Sequence, residues 1–558
     1  MKEGTRLWLD RGRRAALVLV LLGALAVFAD VVHEHYPIQR WLFWHYAVYW
    51  LCAAVWSVAC FSLGHLTLKL VLGRPLPALE QYAIAFALGV LEFEILLFLA
   101  GTVKLYGPVL FFGLPLAMIA AGGLPLWRFT RRHQRHLRAL RQRAPPGLPS
   151  YIVMAFGLLG LGMLYFLILT PENTAYDARW MHLVVAEDYV ASGGVRRFPE
   201  GYLFAAAPHF GSFIYAWAFV LPGGVLFDRI VLAAHLEFAV FLWVTLLGIP
   251  AMVRRLVPRA NPRLVWAARF LFPGVFLYDS SLTGGADHLG AMYCAPVLLL
   301  LLRAWRNLSP RYCFLLASML AGSVITKYTV AFMLAPVPIV VVGVRMLMLA
   351  WQSLRGRVEP TLRRHWYLGP LAAIVAGVAV SSPHWLRNLV WYGDPLYPLL
   401  HKHFGARPWA GDASYVYQWM YSDFQLWAPS RDWKGFVETL KALFTFSFIP
   451  NDWPAFHGKV PVFGSLFTLL IASLPFLRRT RRLWLLVGWV HISIFIWYWT
   501  HHQDRYLQAI MPFMAAVTAG AMVLIWHQAR WVVRGALGAL VGLQVVWGGD
   551  VYFLPTHF

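Results

Sequence analysis

Ala15–Ala29 reads AALVLVLLGALAVFA, and the apolar run resumes past Asp30 at Val31 and Val32. No charged side chain interrupts the quoted stretch. A helix rises ~1.5 Å per residue, so a span over 15–32 approaches the thickness of a hydrocarbon core of about 30 Å. Arg11, Arg13 and Arg14 precede it, as in a secretory leader. No small-residue cleavage site follows Leu25–Asp30, so the stretch reads as a retained first helix. Similar stretches recur to the end of the chain. They place spans at 15–32, 46–72, 82–100, 108–127, 151–169, 228–252, 264–279, 288–305, 312–326, 329–349, 366–382, 461–477, 483–500, 506–526 and 532–548. A train of short alternating strands, which a barrel requires, is not found. The spans are therefore helices. The expected fold is all-α and polytopic, with about 13–15 transmembrane helices, interfacial helices and an external loop domain.

Composition agrees. Of 558 residues, 60% are hydrophobic and 13% charged, about half the usual charged fraction of a soluble domain, and mean hydropathy is +0.59. The net charge of +23 would suggest nucleic acid in a soluble protein, but here it follows the positive-inside rule. With the N-terminus inside and the spans alternating, the arginine-rich connections Arg128–Arg143, Arg254–Arg263, Arg303–Arg311, Arg355–Arg364 and Arg478–Arg482 all fall on the inner side. Most acids fall outside. Residues 128–143 carry Arg128, Arg131, Arg132, Arg135, Arg138, Arg141 and Arg143, a topology anchor against anionic headgroups. They lack the aromatic platform of a nucleic-acid site. Cys52, Cys60, Cys294 and Cys313 all lie within predicted spans without metal-ligand spacing, so neither a disulfide nor a zinc site is expected.

The chain divides at the Pro/Gly break near Ala144–Pro149. Four N-terminal helices (1–147) have no assigned role. A core (148–387) contains a first external loop at 171–227. A second external loop (388–460) carries Trp391, Trp409, Trp419, Trp427, Trp433 and Trp453, and C-terminal helices fill 461–558. Within the first loop, Tyr202–Leu221 is moderately apolar and reads as helices lying at the interface. The tryptophans suit interfacial anchoring, or stacking on sugar rings. No internal repeat is found.

The outer ends of the spans hold the polar residues of a chain otherwise poor in them: Asp177, Arg179, Glu187, His209, Asp287, Lys327, Arg387, His501, His502, Arg505 and Tyr506. Ionisable groups at helix mouths are costly unless paired or wet. Lys327, Arg387 and Arg505, with His209 assisting, would hold a departing phosphate. Asp177 would serve as a base for an acceptor hydroxyl, with Asp287 as a second carboxylate. Each residue has a plainer reading beside this one. Asp177 and Asp287 suit helix N-caps, Arg179 suits an ion pair with Glu187 or Asp188, Lys327 suits a snorkelling side chain, and Arg505 a terminal anchor. Gly393-Asp394-Pro395 reads as a turn. His501 and His502 point apart on a helix and make a poor metal site. A magnesium or manganese ion shared by Asp177 and Asp287 stays open.

At these residues the sequence resembles the GT-C superfamily of membrane glycosyltransferases, which includes protein O-mannosyltransferases and lipid A aminoarabinose transferases. The resemblance runs over about 150–526. It rests on Tyr176-Asp177-Ala178-Arg179, on Phe210–Leu221 followed by Asp228-Arg229, on Asp287, and on Thr326-Lys327. It continues with Arg387-Asn388, Gly393-Asp394-Pro395-Leu396-Tyr397-Pro398 and Arg505-Tyr506-Leu507. The resemblance implies a polyprenyl-phosphate sugar donor, inverting displacement and a base at Asp177. It further implies a lipid, glycan or protein acceptor, and a site facing the periplasm of a bacterial inner membrane, in cell-envelope glycan chemistry. Ala207-Pro208-His209 stands where the aminoarabinose transferases have Lys-Pro-Pro. The Trp-Trp-Asp signature of oligosaccharyltransferases is missing. The competing expectations are a transporter or flippase for a lipid-linked substrate, and a glycan ligase or polymerase with a lipid-diphosphate donor. Transporters place sites at mid-membrane between repeats, unlike this pattern.

Overall fold

A computed structural model describes residues 3–141, 147–169, 178–198, 202–258, 260–261, 264–265, 268–271, 284–398, 400–404, 407, 415, 418, 428–449, 466–500 and 502–547. Among them every regular element is helical. Among the described residues nine helices are long and apolar enough to cross a membrane, and four shorter apolar ones accompany them. The chain is an all-α polytopic membrane protein. It divides into two compact units, Met1–Ala54 and Val55–Phe558.

The first unit holds α1 (Glu3–His35) and the start of α2 (Leu42–Leu72). The turn between them is closed by hydrogen bonds from Trp44 Nε1 to the Ile38 carbonyl (2.7 Å) and from Tyr36 Oη to the Arg40 carbonyl (2.6 Å).

In the second unit the chain continues through α3 (Ala78–Thr102), α4 (Pro108–Arg141), α5 (Leu148–Leu167), α6 (Leu183–Ala191), α7 (Gly211–Phe219) and α8 (Leu226–Leu256). Next come α9 (Asp287–Asn307), α10 (Pro310–Thr326), α11 (Tyr328–Leu334), α12 (Pro336–Leu354) and α13 (His365–Tyr392). The last are α14 (Trp433–Thr445), α15 (Leu466–Ile471), α16 (Arg481–Tyr498), α17 (Asp504–Gln528) and α18 (Trp531–Trp547). The span expected at 329–349 is broken: α11 ends and α12 starts at Pro336, a residue that suits a helix's first turn. Of the span expected at 264–279, residues 266–267 and 272–279 lie outside the described residues.

Burial sorts these helices into a centre and a rim. The apolar window of α17 is 94% buried and that of α9 83%, against 11% for α12 and for α13. The sequence explains the difference. Helix α17 is apolar all round and rich in small residues (Ala515, Ala516, Ala519, Gly520, Ala521), which lets neighbours approach on every side. On α12, Ile339 and Leu347 are exposed, as apolar side chains of a span at the rim are. Helices α2 and α3 touch backbone to backbone: a Cβ on Gly64 would lie 1.9 Å from the Ala85 carbonyl oxygen, and one on Gly89 1.8 Å from that of Cys60.

Helix α7 differs from its sequence reading. It is too short to span, but all nine of its residues are buried, so it is seated inside protein and not on the lipid interface. Trp217 stacks on Phe111 (4.5 Å between ring centroids, 7° between planes) and donates to the Phe111 carbonyl at 3.0 Å. A stacked pair of this kind stabilises by about 0.5–1.5 kcal/mol beyond area burial. A helix apolar on every face has nowhere to lie but a core.

Direct contacts sort the helix ends into two groups. At one end the start of α3 meets the end of α9 (Arg303 Nε to Glu80 Oε2, 3.0 Å), the start of α13 meets the end of α9 (His365 Nδ1 to the Asn307 carbonyl, 2.9 Å), and the start of α16 meets the end of α8 (Arg482 Nη1 to the Arg255 carbonyl, 2.8 Å). These are arginine-rich connections, as the charge pattern predicts. At the other end lie Asp287, Lys327, Arg387 and Arg505.

Candidate functional site

Lys327 follows α10, where the backbone turns extended (φ −163°) before α11 begins. Its Nζ reaches the Asp287 carboxylate at 2.7 Å, and both side chains are largely buried. Asp287 is the first residue of α9. It does not cap the helix: the capping position is Ala286, without a side-chain bond, and the carboxylate is committed to Lys327. Lys327 likewise does not snorkel, because its charge points inward to a buried acid. Two cations stand against the Tyr506 ring, with Lys327 Nζ 4.8 Å and Arg505 Cζ 4.9 Å from its centroid. Arg505 donates to Gln503 Oε1 and Tyr506 Oη, each at 3.1 Å, and its charge also acts on Asp287. Arg505 is therefore part of a cluster, not a terminal anchor.

A second constellation adjoins the first through Lys327's neighbour, Tyr328. Tyr328 Oη meets His384 Nε2 at 3.1 Å, and Arg387 Nη2 meets His384 Nδ1 at 3.4 Å. Arginine can only donate, so Nδ1 accepts and the ring proton sits on Nε2, toward Tyr328. Arg387 also donates to Asn388 Oδ1 (2.9 Å), to the Ala206 carbonyl (3.2 Å) and to His209 Nε2 (3.3 Å). Asn388 Nδ2 donates to the Ala206 and Tyr397 carbonyls at 2.9 and 3.2 Å. Three separate stretches of sequence thus meet at the Asn388 side chain: Ala206–His209, Arg387-Asn388 and the turn ending at Pro398. That turn is as expected. Gly393 ends α13 at φ +77°, and Asp394 Oδ1 accepts from Leu396 N at 2.8 Å. Just before it, Pro383 leaves the Ala379 carbonyl without its helical partner, and Ser382 Oγ donates to that oxygen at 2.7 Å.

His209 takes a different part from the one its position suggests. Its Nδ1 lies 2.8 Å from the Ala207 carbonyl, so Nδ1 carries the proton and Nε2 accepts from Arg387 and from Tyr189 Oη (3.1 Å). Burial, and then the Arg387 charge, hold the ring well below the ordinary histidine range. His209 is neutral at pH 7 and has no free N–H for a phosphate. It positions Arg387 and is not itself a cationic ligand.

Asp177 and His501 lie outside the described residues. Arg179 is exposed on the wide helical turn Ala178–His182, and Glu187 is exposed on α6. Asp188, a candidate partner for Arg179, is held by Arg196 through Nε and Nη2, both at 2.6 Å. Of the tryptophans in the second loop, Trp391 and Trp433 are described. The Arg387 guanidinium stands 5.5 Å from the Trp391 ring centroid. Among the described residues no group of three or more His, Cys, Asp or Glu could hold a metal ion.

Sequence reading missed Glu237. It is fully buried in the middle of α8. It accepts from Gly284 N (2.8 Å), Gly285 N (3.2 Å), Tyr215 Oη (3.2 Å) and His288 Nδ1 (3.1 Å). Gly284 has φ +113°, so this turn into Asp287 is one that glycine permits and Glu237 fixes. An acid in mid-span is itself a signal. Tyr189 was missed too, since only its partner His209 is polar enough to be noticed.

No protein-family model matches the chain, and no curated protein does. Among solved structures, the chain is similar to the crystal structure of ArnT from Cupriavidus metallidurans bound to undecaprenyl phosphate. The identity is 14% and the TM-score 0.42, over 73% of this chain and 66% of that one, so the chain spans just under two thirds of that protein's length.

Proposed function

We propose that the protein is a glycosyltransferase that takes a sugar from a polyprenyl-phosphate donor at the end of the bundle carrying Asp287, Lys327, Arg387 and Arg505. The observation that carries this reading is the pair of cations at Tyr506. Lys327 and Arg505 both stand within 5 Å of one ring centroid, and Lys327 is paired to a buried carboxylate, with Arg387 aimed by His209, His384 and Asn388 nearby. Three cations fixed at the mouth of a membrane bundle suit an anionic headgroup whose tail remains in lipid. In the proposed step the acceptor hydroxyl attacks the anomeric carbon and the bond from that carbon to the phosphate oxygen breaks. The departing lipid phosphate needs fixed positive charge and no general acid. Asp287 aims Lys327, and its bond to Nζ leaves it poorly placed to take a proton. The base is therefore assigned to Asp177, in keeping with the order of motifs. Sugar and acceptor, whether lipid, glycan or protein, are set by residues beyond this cluster.

The test is turnover of a polyprenyl-phosphate sugar by the purified full chain, read as released polyprenyl phosphate. Asp177→Asn is expected to slow it by about 10²–10⁴-fold, the usual contribution of a general base, with donor binding unchanged. Wild-type turnover in that variant would remove Asp177 as base. Turnover of lipid diphosphates alone would favour a ligase or polymerase instead.

A further inference from the structure

The opposite end of the bundle holds a second concentration of charge, independent of the reading above. Arg255 closes α8, Arg303 and Arg306 lie in the last turns of α9, and Arg482 opens α16. The charges that act on Arg255 are those of Glu80, Arg303, Arg306 and Arg482. The group is four guanidiniums and one carboxylate, an excess of three positive charges. Glu80 is taken up by Arg303, which reaches it through Nε at 3.0 Å and through Nη2. The other bonds these arginines take part in go to or from neutral carbonyls: Arg482 donates to the Arg255 carbonyl (2.8 Å), and Arg345 to that of Arg306 (2.6 Å). Such acceptors orient a guanidinium without neutralising it. No acid occurs in 69–76, 254–263, 303–311 or 478–482. The ends of α8 and α9 contribute partial negative charge, which the starts of α3, α10 and α16 offset.

Beside this cluster is a cavity of about 380 Å³ lined by Leu72, Gly73, Arg74, Ser309, Arg311 and Tyr312, a volume in the range of ~300–1,000 Å³ usual for small-molecule sites. Tyr312 joins the two, since its ring lies 5.8 Å from Arg303 Cζ. Arg311 is steadied by one bond from Nη1 to the Leu72 carbonyl at 3.1 Å, and Arg74, also in the lining, is exposed. Guanidinium forks match phosphate oxygens two at a time, and basic pockets between spans take phosphate-bearing headgroups.

We propose that the Arg74–Arg311 cavity, with the adjoining Arg255, Arg303, Arg306 and Arg482, is a binding site for a phosphate-bearing ligand, separate from the Asp287–Arg387 end. The ligand chemistry is that of two neighbouring phosphate monoanions, as in a diphosphatidyl lipid headgroup or a soluble diphosphate.

The test uses the full chain in neutral detergent, with native mass spectrometry and thermal melting against diphosphatidylglycerol, phosphatidylcholine and inorganic pyrophosphate. Diphosphatidylglycerol is expected to stay bound and raise the melting temperature, while phosphatidylcholine does neither. Arg74→Gln with Arg311→Gln is expected to weaken binding by tenfold or more. These exposed positions spare the Glu80–Arg303 pair, so folding is kept. Arg387→Gln is expected to leave binding unchanged, which separates this site from the proposed donor site. Pyrophosphate that binds in place of lipid, with the same Arg74 and Arg311 dependence, would support the site and assign it a soluble ligand. Equal retention of both lipids, or binding indifferent to the Arg74→Gln/Arg311→Gln variant, would overturn the proposal.

Discussion

Replacing Asp287 by asparagine leaves Lys327 beside Tyr506 and Arg505 with its counter-charge removed. At 2.7 Å between Lys327 Nζ and Asp287 Oδ1 and an effective dielectric of ~20, the lost attraction is about 6 kcal/mol. Desolvation offsets part of it, and breaking one side of a buried pair costs about 3–5 kcal/mol. That cost belongs to the stranded charge more than to the lost bond. Asp287→Asn and Lys327→Met should therefore each destabilise by about 3–5 kcal/mol, while the double variant, which strands neither, should recover about 2 kcal/mol or more of the summed loss. The assay is reversible unfolding by SDS titration in mixed micelles, run as a double-mutant cycle. Single effects that add to within about 0.5 kcal/mol would mean the two residues are uncoupled, and the reading of Asp287 as the group that aims Lys327 would fall.

Glu237→Ala removes the acceptor of Gly284 N, Gly285 N, Tyr215 Oη and His288 Nδ1. Buried donors left unmet cost about 1–3 kcal/mol each, so unfolding should come at least ~3 kcal/mol easier, and an unchanged midpoint would contradict the role given to this residue. Arg387→Lys keeps the charge but not the fork that serves Asn388, His209, His384 and Ala206 together. Donor binding should fall about tenfold or more, and full retention would show that charge alone suffices. The pH dependence follows from His209. Its folded value lies well below the 6.5 of a free ring, so the unfolded chain binds more protons as pH falls below ~6.5, and stability held above that pH is lost progressively toward the folded value. Melting temperatures between pH 8 and 5 should decline on the acid side, less steeply in His209→Gln, and equal slopes would contradict the assignment. Gly89→Ala places a Cβ where Cys60's carbonyl oxygen stands 1.8 Å away. Overpacking of this kind costs about 1–3 kcal/mol, to be read as a lower melting temperature, and an unaltered one would mean α2 and α3 separate freely.

Much of this architecture can be read from the chain because the membrane imposes it. Apolar runs must be helices with their backbone bonds satisfied internally, and the arginine-rich connections mark one end. Asp287, Lys327, Arg387 and Arg505 were accessible for the same reason, as rare ionisable groups at the mouths of spans. Pairing was not. That Asp287 is spoken for by Lys327, 40 residues away, depends on how α9, α10 and α17 converge, and no local pattern carries this. His209 looked like a helper cation because its charge depends on Ala207, Tyr189 and Arg387. Glu237 has partners 22 to 51 residues distant, and its one local signal was an acid in mid-span. Tyr202–Leu221 reads as interfacial because it is only moderately apolar, and the burial of α7 on every face depends on how its neighbours close around it.

The central claim is that the Lys327–Arg505–Arg387 end receives a lipid phosphate. It is tested most directly by native mass spectrometry of the purified chain with a polyprenyl-monophosphate sugar, beside Arg505→Ala and Asp177→Asn. A bound donor is expected, weakened at least tenfold by Arg505→Ala and unchanged by Asp177→Asn. Absence of binding, or binding that Arg505→Ala does not alter, would contradict it.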